Sequence, residues 1–318
     1  MDRLDIRIVR ELTQSRTVWP ARPGLIASYR QVARTVGVSP GTIRNRVVQL
    51  TRSGVLRGFS VYANLNLLGL RSGSYAVEVS PSLRKSDVIK QLSKIDGLVF
   101  FENFRGTLLG IGIAYSPDQP IEKKLTEIDL VARSPRGLFS RVIHPPCSAE
   151  LNQPEWRLVS RLMAGSFRSY GQLARELRIS LRTLRRRLAK LDESGALLSF
   201  PRLDYAAISG AVATGLLVTF REGPEKPEVK TRVRQFLDDW TTFVGGWEDF
   251  EFYRLFLPNV AKATEVAEAV RAMPGVAFVR VEFVDGLVDQ LETLKVYVDR
   301  HIVGESRSEL GVTASPTR

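Results

Sequence analysis

The feature that most restricts this chain is that it repeats itself. Tyr29-Arg-Gln-Val-Ala-Arg-Thr-Val-Gly-Val-Ser39 returns 141 positions later as Tyr170-Gly-Gln-Leu-Ala-Arg-Glu-Leu-Arg-Ile-Ser180. Ile43, Val47 and Leu50 return as Leu184, Leu188 and Leu191, and Ser53-Gly54 and Phe59 as Ser194-Gly195 and Phe200. A repeat this long means two copies of one structural unit, so each segment is read against its counterpart.

Within each copy the spacing of apolar residues predicts three helices and a strand. Leu4, Ile8 and Leu12, widened by Ile6 and Val9, form a helical stripe that Trp19-Pro20-Ala-Arg22-Pro23-Gly24 ends. A second helix is expected over Tyr29–Val36. Gly37-Val38-Ser39 then turns the chain, with Ser39 as N-cap and Pro40 at the first helical position, where a missing N–H costs nothing. Ser53-Gly54 stops the third helix, and Val55–Tyr62 has strand character. Glu155–Leu162, Tyr170–Leu191 and Leu197–Leu203 repeat the series.

After each such unit the pattern changes to β-α-β-β-α-β, the ferredoxin-like order. In the first copy the elements are expected at Tyr75–Val79, Lys85–Ile95, Leu98–Phe104, Thr107–Tyr115, Ile121–Val131 and Leu138–Ile143. In the second they are Ala213–Phe220, Pro227–Leu237, Thr241–Gly246, Phe250–Phe256, Val260–Ala272 and Val276–Val284. One more helix or strand is expected over Leu287–Val298, and a polar tail from Gly304 reads as disordered. The most apolar window, about Ala206–Phe220, is too short to span a bilayer, and the N-terminus has no apolar run of a signal peptide.

The chemistry on offer is basic. The net charge is +12 and the pI about 10.1, a balance that favours a polyanionic partner, with nucleic acid first and an anionic membrane surface second. Ser180–Leu191 concentrates it. Its leucines share one helix face, Arg182, Arg186 and Lys190 lie opposite, Arg185 flanks them, and Arg187 sits nearer the core. An apolar floor under a row of arginines suits the DNA major groove. In the first copy Gly41, Asn45 and Gln49 stand where Arg182, Arg186 and Lys190 stand in the second.

Other chemistries find little support. The only cysteine, Cys147, cannot form an intrachain disulfide, which suits a cytoplasmic protein. His144 and His301 have no partners at metal-ligand spacing. Gly106, Gly110 and Gly112 lie in a strand pattern and lack the residues of a phosphate loop, and no nucleophile motif is present. Asp238-Asp239 and Glu248-Asp249-Phe-Glu251 read as solvated turns beside a basic surface. The aromatic run Trp240–Phe256 reads as a hairpin core, or more sharply as an interface or ligand cavity.

These units resemble the leucine-responsive regulatory protein/AsnC (feast/famine) family over about residues 1–145 and again 152–290. The resemblance is carried by Asp5, by Val38-Ser39, Thr42, Arg46 and Leu50, and by Gly54-Val-Leu-Arg-Gly-Phe59. In the second copy Ile179-Ser180, Thr183, Arg187, Leu191 and Gly195-Ala-Leu carry it. It implies an α+β fold: two winged helix-turn-helix domains, each followed by a ferredoxin-like βαββαβ domain of effector-binding type, arranged as a one-chain pseudo-dimer. The expected bounds are 1–64, 70–145, 146–205 (with the linker) and 210–300, with a disordered tail at 304–318. The implied function is sequence-specific binding of double-stranded DNA to regulate transcription.

The residues expected on DNA are Thr42, Arg44, Asn45, Arg46, Gln49, Arg52 and Arg57 in the first unit. In the second they are Arg168, Arg175, Arg178, Arg182, Thr183, Arg185, Arg186 and Lys190. Of these, Arg44, Arg52, Arg57, Arg168, Arg175 and Arg178 are assigned to phosphates. The resemblance also implies a small-molecule effector such as an amino acid, at the turn motif Gly246-Trp247-Glu-Asp249. Gly106–Leu109 lacks that motif. No catalytic residue, metal, cofactor or membrane is expected. The chain should bind DNA alone, and larger assemblies should use the Trp240–Phe256 region. Two alternatives stand beside this reading. One is an architectural, sequence-tolerant DNA coater. The other is an enzyme: siroheme decarboxylases resemble this family in fold and carry a Pro-containing loop, as at Trp19–Pro23. They also place a histidine in the strand equivalent to Val99–Phe104, where this sequence has none.

Overall fold

The computed structural model describes residues 1–13, 29–142, 144, 146–165, 169–246, 250–290 and 292–309, the last seven as backbone only. The Trp19–Pro23 loop and Arg168 lie outside the described residues. The first copy runs α1 (Arg3–Thr13), α2 (Tyr29–Val36), α3 (Pro40–Arg52) and β1 (Leu56–Ala63). It continues with β2 (Arg71–Glu78), α4 (Lys85–Leu92), β3 (Leu98–Phe104), β4 (Leu108–Tyr115), α5 (Ile121–Ala132) and β5 (Leu138–Val142). The second copy runs α6 (Gln153–Met163), α7 (Tyr170–Glu176), α8 (Leu181–Glu193) and β6 (Leu197–Leu203). After a 3-10 turn at Tyr205–Ala207 come β7 (Val212–Phe220), α9 (Lys226–Leu237), β8 (Thr241–Gly246) and β9 (Phe250–Leu257). The last elements are α10 (Val260–Arg271), β10 (Val276–Asp289) and α11 (Glu292–Glu309). The fold is mixed α+β.

Three differences from the sequence reading concern length. Strand β2 begins at Arg71, four residues ahead of Tyr75, because Arg71–Ser74 pair with Gly112–Tyr115 of β4. Strand β10 continues to Asp289, absorbing the start of the segment that sequence left as helix or strand. Helix α11 reaches Glu309, into the stretch read as a disordered tail, and residues 310–318 lie outside the described ones. That helix is anchored by contacts no local pattern announces. Val298 is fully buried against the α6–α8 core, Ser160 donates to Asp299 (2.9 Å), and His301 stacks flat on Trp156 at 4.2 Å.

The strands after the helices join in one eight-stranded antiparallel sheet, ordered β5-β2-β4-β3-β10-β7-β9-β8. The join is made by length. The first half of β10 pairs with β7, and its end, from Gly286 to Asp289, pairs with Asn103 to Phe100 of β3. Strand β5, at five residues, has no such extension. Helices α4 and α5, and α9 and α10, cover one face over two apolar cores.

The opposite face carries an ion pair that reaches across strands. Arg254 of β9 donates to Glu102 of β3, although two strands separate them. Three strand spacings of ~4.8 Å put their backbones ~14 Å apart in a flat sheet, a span that the two long side chains bridge over β10 and β7. The same face is covered by Phe104, Leu108, Phe252, Phe256 and Val284, with Ile6 of α1 inserted. Glycines make room for the rings: a Cβ on Gly112 would fall 2.2 Å from the Phe100 ring, and one on Gly215 2.6 Å from Phe252.

The wing strands lie where the sequence places them, and the structure adds what they pair with. β1 and β6 pair with each other along their length, Phe59 opposite Pro201 and Ser60 opposite Phe200. Phe59 and Phe200 are equivalent in the sequence repeat, as are Ser60 and Pro201, so the repeat exchanges these two pairs. Tyr62 stacks on Phe200 at 5.5 Å across the ribbon. Each helical unit borrows apolar residues across the repeat: Leu203, Ala207 and Ile208 pack on the first unit, Val61 and Ala63 on the second.

Candidate nucleic-acid interface

Helices α3 and α8 start alike. Ser39 Oγ accepts from the Thr42 N–H (3.0 Å) and lies 2.9 Å from Thr42 Oγ1; Ser180 and Thr183 repeat both distances. The threonine hydroxyls thus complete the caps, a use that leaves them half-buried. Ile43, Val47 and Leu50, and Leu184, Leu188 and Leu191, are buried as the spacing requires.

The outward faces carry the charge. Arg44, Asn45, Gln49, Arg52 and Arg57 are exposed on the first unit, and Arg175, Arg178, Arg182, Arg185, Arg186 and Lys190 on the second. Three of the expected contacts also carry an ion pair within the chain. Arg46 donates to Asp2 (2.7 Å) and Asp5 (3.3 Å), tying α3 to the start of α1. Lys190 donates to Glu155 (2.8 and 3.0 Å), tying α8 to α6. Arg57 pairs with Asp204 (2.8 Å). Asp2 and Asp5 cap α1 reciprocally, as Asn152 and Glu155 cap α6. Burial raises the Glu155 carboxyl, but the Lys190 ammonium and the Asn152 N–H more than offset it and hold it below the usual carboxylate range. The Lys190→Gln variant is therefore expected to lose ~1 kcal/mol of stability while the salt slope of DNA binding stays unchanged. A slope that falls by about one unit would show instead that Lys190 contacts a phosphate.

The turns differ in one instructive way. Gly37 adopts φ +78°, which glycine does freely; its counterpart Arg178 holds φ +53° at an exposed position. A left-handed non-glycine residue costs about 1–2 kcal/mol, so a residue other than glycine at this turn points to a use for its side chain.

Elsewhere the sequence reading needs revision. Asp238 and Asp239 do lie in an exposed turn, and that turn also docks α1 beside β8: Asp238 accepts from Arg10 through its carbonyl (2.6 Å) and its carboxylate (2.8 Å), and Asp239 lies 3.4 Å from Arg3. Glu251 is buried, with Arg234 and the Tyr253 hydroxyl on it. Phe252 and Phe256 are buried in the apolar cluster on the face opposite the helices, and Phe243 packs half-buried against it. Gly246 ends β8, and Trp247 and Asp249 of the expected effector turn lie outside the described residues. A cavity of about 480 Å³, which sequence did not suggest, opens where the β1–β6 ribbon meets β10. Arg57, Arg202, Asp204, Tyr205 and Asp285 line it. Among the described residues no helix is long and apolar enough to cross a membrane, and no three His, Cys, Asp or Glu residues cluster for a metal ion.

No family model matches the chain. The HTH-type transcriptional regulator Ptr1 of Methanocaldococcus jannaschii is 30% identical over 119 residues, 37% of this chain and 74% of that protein. The regulatory protein AsnC of Haemophilus influenzae is 33% identical over 100 residues, 31% of this chain and 61% of that one. Among solved structures, the siroheme decarboxylase NirDL covers 96% of this chain and 100% of its own, with a TM-score of 0.56 at 16% identity, a likeness of fold. That likeness corrects one expectation. The sequence reading held that the chain is not an enzyme, but the fold of nearly its whole length is one a solved enzyme adopts, so the architecture itself is compatible with catalysis.

Proposed function

Because this chain belongs to the leucine-responsive regulatory protein/AsnC family, we propose that it is a regulator of transcription that binds duplex DNA, with one chain doing what a dimer of single-copy relatives would do. In this reading residues 1–64 and 146–205 are winged helix-turn-helix domains, and 70–145 and 210–300 are ferredoxin-like domains that form the platform between them. The carrying observation is the pair of serine-capped helices α3 and α8, whose apolar faces are buried and whose arginine-bearing faces are exposed. Asn45, Gln49, Arg182 and Arg186 read bases; Arg44, Arg52, Arg175, Arg178 and Arg185 hold phosphates. An effector sits at the Gly246–Asp249 turn. A thermal-shift screen with amino acids tests this, since a ligand at 100 times its Kd adds about 2.7 kcal/mol.

Footprinting at graded salt tests the main reading, because it reports site length, half-site spacing and phosphate count together. Arg178 gives the sharper experiment. Replacing it with glycine should raise stability by roughly 0.5–1 kcal/mol, by relieving the left-handed backbone. It should also weaken binding to all sequences alike and flatten the salt slope by about one unit. A variant that is more stable and binds unchanged would remove Arg178 from the interface.

A second reading, a siroheme-decarboxylase-like activity on a tetrapyrrole, is favoured by one observation, the full-length likeness to NirDL. Anaerobic incubation with siroheme decides it: a decarboxylated product would replace the regulator reading.

A further inference from the structure

Resting on the DNA-binding reading above, we propose that the two helices read different base pairs, so that the chain's target is an ordered pair of unlike half-sites. The half-site under α3 is rich in A·T and the one under α8 contains G·C. The argument begins from what the copies share. Their caps match to 0.1 Å, and their buried faces keep three branched apolar residues each at equivalent positions. Arg44 and Arg185 are equivalent, exposed and of one chemistry, so they suit a phosphate contact common to both.

The difference lies on the exposed face alone. On α3, Asn45, Val48 and Gln49 fall at i, i+3 and i+4 and form one surface. Carboxamides present the donor and acceptor that adenine N7 and N6 require, and Val48, an aliphatic side chain left 38% exposed beside them, suits the thymine methyl. On α8 the same positions are Arg186, Ala189 and Lys190, with Arg182 in place of Gly41. Because Lys190 is tied to Glu155, the side chains left to read bases are Arg182 and Arg186. Arginine pairs bidentately with guanine O6 and N7. The α8 helix also brings Arg182, Arg185 and Arg186 where α3 brings Arg44 and Arg52, so the α8 half-site carries more of the affinity.

Selection of the full-length chain against random duplex DNA tests this, followed by selection with Asn45→Ala/Gln49→Ala and with Arg186→Ala. All three substitutions are at exposed positions, and thermal melts verify that each variant folds. The expected consensus has an A·T-rich half and a G·C-containing half in fixed order. The first variant should relax only the A·T half, and the second only the G·C half, with a loss of roughly 5- to 150-fold on the parent site. A palindrome with equal halves, a single isolated half-site, or both variants relaxing the same half overturns the inference and leaves the regulator reading standing. Binding that enriches no sequence overturns sequence-specific regulation, and the inference with it.

Discussion

An Arg254→Ala variant is expected to lose about 3–5 kcal/mol of stability, because it strands a buried carboxylate on the face of the sheet opposite the helices. Glu102 and Arg254 are only 10% and 15% exposed in their side chains, and the guanidinium lies 5.7–5.9 Å from the Tyr205, Phe243 and Phe252 rings, where water cannot replace it. Burial pushes the Glu102 carboxyl above the usual range, and Arg254 pulls it back down. The pH dependence follows. A carboxyl whose pKa is raised by folding holds its proton more tightly folded than unfolded, so its contribution favours the fold at low pH and is lost as pH rises through the folded value. Without Arg254 the pKa climbs further, and the variant's deficit should be smaller in acid than at pH 8. Urea unfolding at several pH values measures it. Replacing the pair together, Glu102→Leu with Arg254→Met, should recover most of the loss. A deficit near zero, or one that ignores pH, would show that Glu102 is solvated.

Leu184→Ala and Ile43→Ala should each cost about 2–5 kcal/mol, since both side chains are fully buried on the inner faces of α8 and α3 and leave a cavity when truncated. Their effects on DNA are expected to diverge. Loosening α8 should remove most of the affinity, and loosening α3 should remove the smaller share, in step with the arginines each helix exposes. Denaturation curves beside binding titrations on one duplex compare the two. Equal losses of binding at equal losses of stability would mean that the units contribute alike.

Much of this architecture can be read from local signals. Ser39-Pro40 and Ser180 begin the two helices where their hydroxyls can cap, Ser53-Gly54 and Ser194-Gly195 end them, and the leucine spacing fixes the buried side. The order β-α-β-β-α-β follows from alternating periods. What stayed hidden depends on residues far apart in the chain. Nothing near Lys190 announces Glu155, and nothing near Glu102 announces Arg254, 152 positions away. The ribbon was hidden for the same reason: β1 and β6 each read locally as a wing strand, and only their mutual register shows that they pair with each other. The left-handed turn at Arg178 had a local signal, its alignment with Gly37.

The ribbon also sets the order of events when this chain is made. Val61 waits for Ser199, 138 residues downstream. At the ~5–20 residues per second of synthesis, that is an interval of roughly 7–28 s. Throughout it, β1 presents an unpaired edge, and the first helical unit lacks Leu203, Ala207 and Ile208 beneath it. The first half therefore leaves the ribosome as an incomplete piece, exposed to pairing with another nascent copy through the edge meant for β6. The same dependence binds the finished molecule: neither helical unit can open without uncovering the other's core, so the two should melt in one transition.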